Sequence, residues 1–154
     1  MTTPSPLLQV RDLHVAVGEH SVLCGVSCDV PPGSLAVLMG ANGSGKSTLG
    51  MALAGHPRYR VTGGQALLAG QDLLALPAHE RARAGLFVSF QAPPDVPGVK
   101  NNLFIRTALN AVHEARGQSP LDAFDFLASA KQAVGTLGLP ETLLDVILQL
   151  PLAL

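Results

Sequence analysis

Hydrophobic and polar positions alternate along residues 7–17 (LLQVRDLHVAV), which predicts a β-strand with one buried face. Gly18-Glu19-His20 breaks the alternation, and residues 21–30 resume it as a returning strand, so the chain opens with a β-hairpin. Pro31-Pro32-Gly33 is a second turn. Residues 34–39 (SLAVLM) then form a nearly continuous apolar run, the pattern of a core strand covered on both faces in a parallel sheet. Residues 48–54 change to a helical pattern that ends near Gly55 and Pro57. Residues 61–70 read as a short strand pair, with Gly63-Gly64 as a turn, and residues 72–83 as a turn and a short helix. Residues 85–90 (GLFVSF) read as a second buried core strand, ending at Gln91.

Beyond Gln91 the pattern changes. Residues 92–99 (APPDVPGV) are a proline-rich loop. Residues 101–115 are periodic as a helix, with Leu103, Ile105, Ala108, Leu109 and Val112 as apolar positions, and residues 121–137 predict another helix, stopped by Gly138 and Pro140. The expected organisation is therefore a β-rich core over residues 1–92, a helical part over 93–142, and an atypical, nearly all-apolar tail over 143–154. No internal repeat stands out.

Composition narrows the class. The chain has 154 residues, 47% of them hydrophobic and 14% charged, which excludes a disordered chain and suits a buried α/β interior. A net charge of −1 with no basic cluster argues against nucleic acid as the main partner. The first residues carry neither a basic stretch nor an apolar core, so they do not read as a signal peptide, and no apolar run is long enough to span a bilayer. The expected location is cytoplasmic, without direct membrane insertion. Cys24 and Cys28, four apart on the second strand, are expected on one face as small buried hydrophobes. The five histidines show no ligand spacing.

The candidate chemistry lies in Gly40-Ala41-Asn42-Gly43-Ser44-Gly45-Lys46-Ser47-Thr48, which fits the G-x-x-x-x-G-K-[ST] phosphate loop. Glycines allow the backbone to approach an anion closely, and the following helix adds its positive N-terminal end. Lys46 is suited to the β- and γ-phosphates of a nucleotide, and Ser47 to Mg²⁺. The predicted strand before the loop and helix after it supply the required context. The expected cofactors are ATP and Mg²⁺.

The hairpin, the loop, the Gly-rich strand after its helix and the Phe90-Gln91 strand end together resemble the ATP-binding cassette ATPases. Residues 89–99 (SFQAPPDVPGV), 106–112 (RTALNAV), 116–118 (RGQ) and 121–126 (LDAFDF) narrow the resemblance, as do residues 54–64 (AGHPRYRVTGG) and 70–74 (GQDLL). They look like the cassette ATPase of the Suf iron–sulfur cluster assembly machinery, over about residues 7 to 144. The resemblance implies an α/β P-loop NTPase fold with a helical insertion. It gives Gln91 the role of the Q-loop glutamine, which serves Mg²⁺ or the attacking water. It implies a scaffold partner docking near the Gln91 loop and the helical part, and in a complete form a cassette dimer. ATPase subunits of membrane transporters are the alternative within the family. A non-catalytic fragment that binds nucleotide or a partner is the alternative outside it.

Two departures qualify the resemblance. The position comparable to the family's adenine-stacking aromatic looks like Val17. Moreover, the 154 residues contain no LSGGQ-like signature, no Walker B strand ending in Asp-Glu and no switch histidine, so the sheet is expected to be incomplete and no catalytic residue is assigned. Whether the chain is an enzyme is left open at this point. The letters of residues 61–65 (VTGGQ) imitate the signature but precede Gln91, where the signature does not belong.

Overall fold

The computed structural model describes residues 5–89 and 97–144. The chain divides into two compact units, Met1–Val88 and Ser89–Leu154.

The first unit is built on a four-stranded sheet in the order β2-β1-β3-β4. Strand β1 (Leu8–Val17) pairs antiparallel with β2 (His20–Val30) on one side and β3 (Tyr59–Leu68) on the other, and β4 (Gln71–Asp72) pairs antiparallel with β3. Helix α1 (Lys46–Leu53) lays Leu49, Ala52 and Leu53 on one face of the sheet. These positions lie at i, i+3 and i+4, one stripe of a helix. They close a core with Val10, Leu13, Val15, Leu23, Ala66, Leu68 and Leu73. Helix α2 (Ala78–Arg83) follows.

Bulges adjust the sheet. Leu13 pairs with Val26 and His14 with Cys24, so Gly25 is an extra residue in β2. It reverses the alternation within the strand. Leu23, Val26 and Cys28 turn toward the core, and Cys24 turns to solvent. The two cysteines therefore do not share a buried face, contrary to the expectation from an unbroken strand; both are free thiols. Gly63-Gly64 is likewise not a turn. It lies inside β3, whose single run replaces the expected strand pair, and the turn comes at Ala69-Gly70. Gly64 has φ +93 and sits against the β1 backbone, where a Cβ would overlap the Asp12 carbonyl oxygen and lie 2.6 Å from the Leu13 Cα. The glycine pair is a close approach between strands.

Among the described residues, neither of the two expected core strands forms. Residues 34–39 form no strand, and their apolar side chains are open to solvent, Leu35 at 91% and Met39 at 83%. Residues 86–89 form none either, with Phe87 90% exposed; Phe90 lies outside the described residues. A strand exists only as part of a ladder. Both segments have a core strand's composition, but among the described residues nothing pairs with them.

The second unit holds α3 (Asn101–Ala115), α4 (Ala123–Thr136) and a 3₁₀ turn (Glu141–Leu144). The Asp122 side chain caps α4 by accepting from the Phe124 and Asp125 N–H groups at 2.8 Å. Asn110 grips the connection: its Nδ2 donates to the Leu121 carbonyl at 3.0 Å, and its Oδ1 accepts from the Leu121 N–H at 2.8 Å. Phe126 and Leu144 are buried, while Leu103, Phe104, Ile105 and Phe124 remain exposed. The rest of the apolar tail, residues 145–154, lies outside the described residues. No helix among the described residues is long and apolar enough to cross a membrane.

Candidate functional site

Two features of the sheet and its helix place the glycine loop. β2 presents Leu23 beneath it, and α1 begins at its last glycine. Gly45 is the N-cap of α1 with φ 94 and ψ 6, a left-handed conformation, and no side chain caps the helix start. A Cβ on Gly45 would lie 2.6 Å from Leu23 Cδ2, so both backbone conformation and packing require glycine. Inside the loop the Ser44 N–H donates to the Ala41 carbonyl at 3.2 Å, which closes a tight turn.

The first-turn N–H groups of a helix have no intrahelical acceptor. Those of α1 open onto a depression of about 210 Å³ lined by Asn42, Gly43, Gly45, Lys46, Ser47 and Thr48. Ser47 is exposed on it, whereas Thr48 is largely buried. The Lys46 ammonium folds back over the loop and donates to the Gly40 and Ala41 carbonyls, each at 2.7 Å. An anchored cation, a serine hydroxyl and uncapped helix N–H groups thus converge on one small concavity. This donor set suits an anion of phosphate size. Beside it a smaller cleft of about 80 Å³ is lined by Leu23, Val26, Leu38, Met39, Ser44 and Leu49 with Gly45 and Lys46.

Of the nine residues from Gly40 to Thr48, six line this concavity, Ser44 lines the smaller cleft, and Gly40 and Ala41 hold the Lys46 ammonium through their carbonyls. Gln91 lies outside the described residues, so its expected place beside Ser47 is not defined. Val17 is half-buried at the end of β1 and paired with His20 and Tyr59. Among the described residues, no group of three or more His, Cys, Asp or Glu side chains could hold a metal ion.

Sequence reasoning missed Arg81. It is 7% exposed, and its guanidinium donates to four carbonyls: Nη1 to Ala52 and Leu53 at 2.9 Å, Nε to Leu76 at 2.8 Å and Nη2 to Leu74 at 3.4 Å. Burial lowers its pKa, and the Asp72 charge acts in the opposite sense. The sequence signal was faint, a basic residue near the end of a six-residue helix.

The ABC transporter family profile matches residues 23–150. The chain is 49% identical over 138 residues to "Probable ATP-dependent transporter SufC" of Escherichia coli K12, covering 90% of this chain and 56% of that one. It is 39% identical over 142 residues to "Iron-sulfur cluster assembly protein SufC" of Plasmodium falciparum, covering 91% and 41%. It is 46% identical over 123 residues to "ABC transporter I family member 6, chloroplastic" of Arabidopsis thaliana, covering 79% and 36%. The chain thus spans about half the length, or less, of these curated relatives.

Proposed function

This chain belongs to the ABC transporter family, and from that premise we propose that it is the ATP-binding part of a cassette ATPase serving iron–sulfur cluster assembly. The observation that carries the reading is the concavity at the start of α1, where Lys46, Ser47 and the uncapped helix N–H groups face one space. The name of the Plasmodium relative supplies the biological setting, and the Escherichia coli relative shares its SufC designation.

In this reading the loop Gly40, Ala41, Asn42, Gly43, Ser44 and Gly45 wraps the phosphates with its N–H groups. The helix end at Lys46, Ser47 and Thr48 adds its partial positive charge. With a nucleotide bound, the Lys46 ammonium would exchange its carbonyl partners for β- and γ-phosphate oxygens, and Ser47 would hold Mg²⁺ through its hydroxyl. Gln91 would serve Mg²⁺ or the attacking water, the role the family resemblance gives it. Bound Mg²⁺ neutralises phosphate charge. The Gln91 loop and the helical part would dock a Suf-type scaffold subunit, and the setting is cytoplasmic. A paired cassette belongs to the complete form.

Turnover is a separate matter. Hydrolysis needs a held metal, an oriented water and charge stabilisation at the γ-phosphate. The 154 residues supply Lys46, Ser47 and Gln91 but neither a Walker B carboxylate pair nor a signature segment. A second identical chain would lack the same groups.

The test is a thermal melt with and without MgADP. A ligand that binds only the folded state raises its melting temperature. MgADP should raise the melting temperature of the wild-type chain and leave Lys46→Ala unmoved. Equal shifts in both, or none in either, would overturn the reading.

A further inference from the structure

The C-terminal end of α1 needs more satisfaction than its own backbone provides. His56 N–H donates to the Met51 carbonyl at 3.0 Å and Gly55 N–H to Ala52 at 3.1 Å, the paired bonds of a Schellman motif. That motif leaves the Leu53 carbonyl to another donor. Arg81 Nη1 takes it, sharing the Ala52 carbonyl as well. The same guanidinium holds the Leu74 and Leu76 carbonyls. One buried cation therefore ties the end of α1 to the segment that follows β4. Gly55 lies against it, where a Cβ would come within 3.2 Å of Arg81 Cζ.

Helix α1 has only eight residues, so its two ends are about 12 Å apart. A helix this short has little stability of its own, and its axis follows whatever holds its ends. Its N-terminal end carries Lys46 and Ser47. We propose that Arg81 is a positioning residue for the phosphate loop: by clamping the Ala52 and Leu53 carbonyls it fixes the axis of α1, and hence the direction in which the helix start faces the phosphates. The inference rests on the reading of residues 40–48 as a phosphate site. The positive charge at the C-terminal end also offsets the negative end of the helix dipole.

The experiment measures the affinity of the full chain for a fluorescent ADP analogue with Mg²⁺, alongside the melting temperature. Two variants guard against a failure to fold: Arg81→Lys keeps the charge, and Arg81→Gln keeps planar donors. Leu73→Ala is the comparator, a buried core truncation with no bond to the α1 carbonyls. Arg81→Gln should bind about tenfold more weakly, the scale of one lost charge-assisted hydrogen bond. Arg81→Lys should fall between Arg81→Gln and wild type. Leu73→Ala should lower the melting temperature but keep wild-type affinity. Arg81→Ala should regain affinity on addition of millimolar guanidinium, whereas the wild-type chain should not respond. Wild-type affinity in both folded Arg81 variants would overturn the inference alone. So would equal weakening in Leu73→Ala, since affinity would then only follow stability. Absence of binding by the wild-type chain would overturn the phosphate-loop reading and this inference with it.

Discussion

Gly64 and the two cysteines show how single residues decide the geometry of the sheet. A Cβ at Gly64 would meet backbone of β1, which cannot step aside as a side-chain end can. Gly64→Ala should therefore cost more than about 2 kcal/mol, combining left-handed strain with overpacking. Denaturant unfolding of the variant against wild type measures it. The cysteines differ because Gly25 separates them in register. Cys24 is exposed, while Cys28 is half-buried with its thiol pKa raised, chiefly by burial, then by the Asp29 charge and against the nearby Arg11. Iodoacetamide should alkylate Cys24 first, and Cys28 should lag and require more alkaline solution; peptide mass spectrometry reads the order. Asp29 adds a pH dependence. The Arg11 guanidinium donates to both its oxygens, at 2.6 and 2.8 Å, and holds its pKa below the usual carboxylate range. A depressed carboxylate contributes stability above its unfolded pKa and loses it as pH falls through the folded value. Wild type should thus lose stability faster than Arg11→Ala as pH drops below about 4. Both groups are at the surface, so the effect is small.

At the scale of elements, what could be read from the sequence depended on whether an element completes itself. The hairpin, α1, α3 and α4 carry their own periodicity and turns, α4 its Asp122 cap as well, and their bounds follow the pattern closely. The phosphate loop was legible because its letters encode a local geometry, from the turn at Ser44 to the left-handed Gly45. Residues 34–39 were not, because a strand's composition does not provide its neighbour. The bulge at Gly25 and the close approach at Gly64 were equally hidden, since register is a property of two strands together. Arg81 was the most remote, as its carbonyl partners on α1 lie 28 and 29 positions away. The unpaired segment has a measurable consequence. Val15 is fully buried, whereas Val37 is 66% exposed. Val15→Ala should destabilise this chain by about 1–3 kcal/mol, while Val37→Thr should stay within about 0.5 kcal/mol. Comparable losses at both positions would mean that residues 34–39 are packed in solution.

For the molecule as a whole, site and scaffold are unequally developed. The antiparallel sheet and α1 make a small closed core that holds the loop in shape. Around it Leu35, Val37, Leu38, Met39 and Phe87 are exposed, together with unpaired backbone. Such surface favours association. The 154-residue chain should bind a hydrophobic dye and oligomerise with rising concentration, as light scattering would record. It should also release no phosphate from ATP above the background of Lys46→Ala. Every reading of this chain depends on the phosphate loop, and calorimetric titration of MgADP into the chain probes it. A saturable heat that disappears in Lys46→Ala is the predicted result; equal heats from both proteins, or no saturable heat from the wild-type chain, would contradict the account.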